Sequence, residues 1–145
     1  FKYYGCREYG DFYAKAMSVF GKKYLERWKP DLIVPVPLHP RKKRMRGFNQ
    51  AAYLAERLSV LTGIPWNEHL VKKIRSTRSQ KKLNAIQRRK NLENAYQVTE
   101  KIPGFSVLVV DDVYTTGSTA DAMAMCLLEA GAEKVYFLTI CAGRA

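Results

Sequence analysis

The sequence predicts an α/β protein with a mostly parallel central sheet flanked by helices. Residues 32–37 and 107–110 are short unbroken apolar runs and 135–141 is apolar but for Thr139, the pattern of strands buried on both faces. Between them lie stretches whose apolar residues recur at helical spacing, with Gly63 and Gly131 standing just past two of these stretches. Strands that alternate with helices are joined by crossovers, so a parallel sheet covered on both sides is the natural architecture.

Taken in order, Tyr9, Phe12, Tyr13, Ala16, Val19, Phe20, Tyr24 and Trp28 recur at helical spacing. Residues 8–28 should therefore form one amphipathic helix with an aromatic-rich face packed into the core. Residues 32–37 form the first buried strand; a proline cannot donate to the ladder, which places Pro35 or Pro37 at its end. Asn49 can cap a helix that carries Ala51, Leu54, Ala55 and Leu58 inward and stops before Gly63. A short strand at 70–74, a short helix at 84–92 and another strand at 95–98 follow. After the run at 107–110 comes a helix with Ala120, Met123, Ala124, Leu127 and Leu128 inward, ended by Gly131, and residues 135–141 close the sheet.

At 145 residues the chain suits one domain with a single core, residues 1–145, rather than two. Apolar residues make up 47%, yet no run approaches the 18 apolar positions of a membrane span. The opening Phe1-Lys2-Tyr3-Tyr4-Gly5 lacks the apolar core of a signal peptide, so the expectation is a cytoplasmic protein without membrane insertion. Cys6, Cys126 and Cys141 are odd in number and widely spaced, which indicates neither a disulfide framework nor a structural zinc site. Cys126 and Cys141 read as small buried hydrophobes.

The most informative stretch follows the second apolar run. Val107, Leu108, Val109 and Val110 lead directly into Asp111 and Asp112, then into Thr115, Thr116, Gly117, Ser118 and Thr119. The change from aliphatic to acid marks the strand's carboxyl end, where open α/β sheets bind ligands. Residues 115–119 offer consecutive N–H groups and hydroxyls where a helix should begin, around Ser118 or Thr119, which makes an anion cradle suited to phosphate. Gly117 allows the backbone to approach the ligand closely. No Gly-Lys-Ser/Thr follows, so this is not a Walker A loop. Acids a few residues from a phosphate cradle would meet the hydroxyls of the same ligand, or a hydroxyl-bound metal, and a ribose 5-phosphate fits. Paired acids after a strand, or Thr-Gly-Ser-Thr in a loop, are each common; their joint order is not.

Charge is the second informative feature. The net charge is +12, and fourteen of twenty-five Lys and Arg fall in two segments. Arg41, Lys42, Lys43, Arg44 and Arg46 form the first; the second runs from Lys72 to Lys90, with no acid between Glu68 and Glu93. Each follows a predicted strand, so both should lie near the sheet's ligand edge. Together they ask for a polyanion, either a pyrophosphate or a nucleic acid backbone. Phe48 and Trp66 are the only aromatics near them, a weak signal for base stacking on single strands.

Four aliphatics, two acids and then Thr116-Gly117-Ser118-Thr119 resemble the phosphoribosyl pyrophosphate (PRPP) signature of type I phosphoribosyltransferases. Val34-Pro35-Val36-Pro37-Leu38-His39-Pro40, Arg46-Gly47-Phe48-Asn49-Gln50, and Arg75 with Thr77, Gln80, Leu83, Arg88 and Asn91 resemble the ComF branch of that family. The resemblance implies the type I phosphoribosyltransferase fold and an association with DNA uptake in competent bacteria. It implies that Asp111 and Asp112 bind the ribose hydroxyls and that Thr115, Thr116, Gly117, Ser118 and Thr119 take the 5-phosphate. It implies that Pro37, Leu38, His39 and Arg41 hold pyrophosphate, and that Arg75, Arg78, Gln80 and Arg88 belong to a flexible loop closing over the substrate. Mg²⁺ would come with PRPP, near Asp111 and Asp112 but without a direct protein ligand. Either the chain is an active transferase with an unspecified acceptor, or it binds PRPP or single-stranded DNA and works through competence proteins. Proteins of that branch carry an N-terminal four-cysteine zinc module, absent from this sequence, which also begins without methionine. The expectation is a transferase domain trimmed from a longer protein.

Overall fold

The computed structural model describes residues 7–75, 84, 86–87 and 95–143. Its elements are α1 (Arg7–Phe20), α2 (Lys22–Trp28), β1 (Leu32–Pro35), α3 (Pro40–Arg46), α4 (Gln50–Thr62), β2 (Val71–Lys73), β3 (Tyr96–Val98), β4 (Ser106–Tyr114), α5 (Ser118–Glu129) and β5 (Lys134–Ala142). β1, β4 and β5 form a parallel sheet in that spatial order, with β4 in the middle. A parallel bridge from Ile33 to Trp66 extends the sheet beyond β1. β2 and β3 stand apart as a two-stranded antiparallel ribbon, a pairing that the alternating pattern did not disclose.

The aliphatic run of β4 works in both directions. Val107 and Val109 pack with Val34, Val36, Met123 and Leu127 on the face covered by α5 and the ribbon. Leu108 and Val110 pack with Ile33, Leu54, Leu58 and Met17 on the face covered by α1 and α4. All four β4 side chains are fully buried, and each such burial contributes about 1.5–3 kcal/mol. This alternation, with side chains pointing to opposite faces at each step, continues into the acids. Asp111 follows Val107 and Val109 toward α5 and the ribbon, whereas Asp112 follows Leu108 and Val110.

Local signals hold at α4. Asn49 caps it by accepting the Ala51 N–H at 3.0 Å, its amide donates to the Val36 carbonyl at 3.1 Å, and Gly63 ends the helix at φ 77°. Pro35 closes β1 as expected.

The first helix differs from its prediction. It is two helices meeting at Gly21, and the aromatic stripe faces outward: Phe12 is 67% and Phe20 83% exposed, with Tyr9, Val19 and Tyr24 also exposed. The buried face is instead made of Gly10, Ala14, Met17, Gly21 and Leu25. α1 lies against α4, tied by Tyr53 donating to Asp11 at 2.8 Å and by an Arg57–Asp11 ion pair at 3.0 Å. Small residues permit that close approach, which pushes the large rings to the flank. Trp28 does pack inward, stacked on Tyr136 at 4.5 Å. Two smaller corrections follow: Leu128 on α5 and Cys141 near the end of edge strand β5 are exposed rather than buried. The predicted helix at 84–92 falls largely outside the described residues. Among those described, no helix is long and apolar enough to cross a membrane.

Candidate functional site

β4 ends in two different places. Against β1 its pairing stops at Val110, whose carbonyl accepts the Val36 N–H at 3.0 Å; against β5 it continues through Asp111 opposite Thr139 to Tyr114 opposite Ala142. The acids therefore lie within the strand and not beyond it, and only on the β1 side are they at an open carboxyl edge. Asp111 accepts the Asp112 N–H at 2.8 Å, and Asp112 accepts the Val113 N–H at 2.9 Å.

Beyond Tyr114 the chain turns into α5, which begins at Ser118 as the hydroxyl-rich pattern indicated. Gly117 is its N-cap, at φ 82° and ψ 0°, a conformation that side-chain-bearing residues rarely adopt. A Cβ there would also sit 2.6 Å from the Tyr114 hydroxyl. The Thr116 and Ser118 hydroxyls share a 3.0 Å hydrogen bond across the turn. Asp111, Thr115, Gly117, Thr119 and Thr139 line one small cleft of about 20 Å³. One acid and the cradle are thus brought together, and the first turn of a twelve-residue helix points its N–H groups there.

A second cleft, about 950 Å³, opens between the β1–α3 connection and β2. Pro37, Leu38 and His39 line it, with Lys43, Arg44, Lys72 and Lys73. Arg41 does not: it is exposed on α3, and its N–H is accepted by His39 Nδ1 at 3.3 Å, so His39 serves as the helix cap as well as a wall residue. Lys43 is partly neutralised by Glu68 at 3.2 Å. Arg75 is exposed just past β2; Arg78, Gln80 and Arg88 lie outside the described residues. Trp66 is half-buried, with part of its surface packed against the core on the α1–α4 face.

Two residues near Asp111 had not stood out in the sequence. Lys73 lines the basic cleft and its Nζ lies 5.8 Å from the centre of the Tyr96 ring. Burial, aided by the nearby Lys42 charge and opposed by Asp111, lowers the Lys73 pKa to about 8. Tyr96 is buried near Asp111; burial first and Asp111 second hold its phenol well above the usual range. Lys73 had been visible only as one charge in a run, and Tyr96 only as an apolar strand residue.

A family model described as phosphoribosyl transferase domain matches residues 7–145. The chain belongs to the phosphoribosyltransferase family. Solved phosphoribosyltransferase-type folds agree with this: a purine phosphoribosyltransferase from Pyrococcus horikoshii superposes with a TM-score of 0.52 at 20% identity, covering 88% of this chain and 71% of that one. A phosphoribosylpyrophosphate synthetase from Mycobacterium smegmatis reaches 0.56 at 18% identity, over 88% and 33%. Curated relatives include the DNA utilization protein YhgH of Salmonella typhi, 39% identical over 77% of this chain and 49% of its own length. Competence protein F of Haemophilus influenzae is 38% identical over 73% and 48%. Competence protein ComFC of Bacillus subtilis is 35% identical over 79% and 44%, so the ComF resemblance is borne out. This phosphoribosyltransferase chain spans about half the length of those relatives.

Proposed function

We propose that this chain binds PRPP with Mg²⁺ and transfers or presents its phosphoribosyl group in the handling of DNA during uptake. The observation that carries the reading is the placement of Asp111 and the 115–119 cradle in one cleft, with a cationic cleft directly beside it. In this reading the 5-phosphate occupies the cradle, where backbone N–H groups and the α5 dipole favour an anion. Asp111 within the cleft, and Asp112 beside it where β4 is unpaired on the β1 side, accept hydrogen bonds from the ribose hydroxyls, and Pro37, Leu38 and His39 form the pyrophosphate wall with Lys43, Arg44, Lys72 and Lys73. Asp111 and Asp112 would hold Mg²⁺ by way of the bound PRPP, and the ion would supply charge neutralisation for the leaving group.

Transfer would break the C1–oxygen bond to pyrophosphate, which departs with the electron pair, and form a C1–nucleophile bond with loss of the nucleophile's proton. Positive charge grows at the ring as that bond breaks. The carboxylates near the ring and the cations around the leaving group stabilise the two ends of that charge separation. The segment carrying Arg75, Arg78, Gln80 and Arg88 would exclude water by closing over the cleft.

A second reading, single-stranded DNA in the basic cleft, is favoured by its volume and by more cations than a pyrophosphate needs. Titration calorimetry with PRPP and Mg²⁺, with and without a short oligonucleotide, separates the two. Micromolar PRPP binding that falls at least about 100-fold, roughly 2.7 kcal/mol, in Asp111→Asn and Asp112→Ala supports the first. Unchanged PRPP affinity in both variants would sink that site assignment, and DNA binding alone would leave the basic cleft as the functional one.

A further inference from the structure

The parallel sheet treats its two edges differently. Outside β1 the chain returns along the edge: the Ile33 N–H donates to the Pro65 carbonyl at 2.8 Å, and the Ile33 carbonyl accepts the Asn67 N–H at 3.0 Å. At the far edge, none of the described residues pairs with the outer side of the β5 backbone. Alternate N–H and C=O groups of a nine-residue apolar strand are thus open there, which makes β5 a template for another strand. The usual guards are missing: β5 holds no proline, and its one charge is Lys134 at its first position. Burial records the same gap. Val107–Val110 of β4 are fully buried, whereas Val135–Ile140 are only half-buried, although Val135 and Phe137 reach one core cluster and Tyr136, Leu138 and Ile140 the other.

Apolar surface continues from the strand onto the helix that covers it. α1 reaches β5 at Gly21, where an added Cβ would meet Leu138 at 3.8 Å. Asp11 faces α4, and at about 100° per residue Tyr9 and Phe20 fall on the opposite flank, where both are exposed. These rings and the half-covered strand offer several hundred Å² per copy, the order of the roughly 800 Å² of a standard interface. Charge permits a copy of the same chain here. A chain of net charge +12 repels its copy most where its cations gather, as on α3 past the opposite edge; at β5, Lys134 is offset by Glu133. The strand is also self-complementary. An antiparallel pair about a two-fold axis at Leu138 matches all nine residues, sets Tyr136 opposite Ile140 of the second copy, and puts Lys134 opposite Ala142 rather than another lysine. We propose that β5 is a dimerisation edge: two copies join β5 to β5 in one continuous six-stranded sheet, with the Tyr9–Phe20 flanks of the two α1 helices packed across the axis. The carboxyl ends of the two β4 strands then point to opposite rims, which leaves both cradle clefts open.

Sedimentation equilibrium of the 145-residue chain from about 1 to 100 µM reads the association, expected with a dissociation constant of about 10 µM or tighter. Phe20→Lys should weaken it at least about 30-fold. Because that ring is exposed in the monomer, unfolding of the dilute protein should not change. Ala142→Lys sets lysines opposite each other and should weaken the dimer about tenfold at low salt; Lys134→Glu added to it should restore the affinity. Amide exchange across residues 134–142 should slow with rising protein concentration in the wild type and not in Phe20→Lys. None of these three side chains lines either cleft, so the outcome is independent of the PRPP reading. A chain that stays monomeric over the whole range overturns the inference. So does a dimer whose β5 amides exchange at the same rate at every concentration, or one in which Lys134→Glu fails to rescue Ala142→Lys.

Discussion

The two clefts are built by opposite means. The cradle cleft is made almost entirely by one continuous stretch, the end of β4 and the start of α5, from backbone N–H groups, short hydroxyls and one carboxylate. The basic cleft is assembled from the β1–α3 connection, the approach to β2 and the ribbon, and its cations are long side chains on exposed backbone. The first is small and held by tight backbone geometry; the second is wide and tunable by charge. A site defined by backbone geometry should fail sharply when one atom is added, and a site defined by charge should fail gradually with salt and pH.

The sharpest break is at Gly117. Gly117→Val adds a side chain at a positive φ and within 2.6 Å of the Tyr114 hydroxyl, so PRPP affinity should be lost by more than about 100-fold in calorimetry. Unfolding in denaturant should show an accompanying loss of about 1–2 kcal/mol from the left-handed backbone alone. Full affinity in this variant would mean that the cradle does not receive the phosphate.

Charge reversal in the basic cleft comes next. Lys43→Glu with Arg44→Glu should weaken pyrophosphate or oligonucleotide binding about tenfold at low salt and flatten its salt dependence, read from titrations between 50 and 200 mM salt, roughly the range over which such contacts are screened. Binding of ribose 5-phosphate should change little, because its cradle lies in the other cleft.

Lys73 gives a pH signature. Its folded pKa, about 8, lies below the usual 10.5, so the ammonium form is disfavoured by folding. Between those two values the unfolded chain binds more protons, and stability contributed at this position rises with pH across that window. Anion binding runs the other way: it uses the charged form, so affinity for pyrophosphate should be greatest below about 8 and fall as pH rises through it. Lys73→Arg keeps its charge and should flatten that profile; a slope unchanged in this variant would move the titrating group elsewhere.

The smallest effect is expected at the outward stripe of α1. Phe12→Ser and Phe20→Ser should each alter stability by no more than about 0.5 kcal/mol, whereas Met17→Ala on the buried face should cost about 2–5 kcal/mol, both read from denaturant midpoints. Equal losses on the two faces would restore the aromatic face as core.

That last contrast shows where sequence reading works. In β4, four successive aliphatics can be buried only between two covering layers, so the strand, its central place and the acids that follow are written in adjacent residues. The α4 cap and both ends of α5 are equally local, because capping depends on residues within a turn of each other. In α1, periodicity identifies a helix but not which of two apolar faces turns inward. The choice belongs to α4, whose close approach admits Gly10 and Ala14 and excludes Phe12 and Phe20.

By itself, then, the sequence determined the parallel strands, the Asp111-Asp112 pair, the cradle around Gly117 and the density of positive charge, because each is a property of neighbouring residues and backbone geometry. Tertiary structure alone decided that β2 and β3 pair as a separate ribbon, that Asp111 and Asp112 leave opposite faces of β4, and that Arg41 stands off the cleft while Lys73 lines it. It also brought Lys73 and Tyr96 within the field of Asp111. These are encounters between segments far apart in the chain, and no local propensity encodes them. They follow from the register of one short antiparallel pair packed against α5.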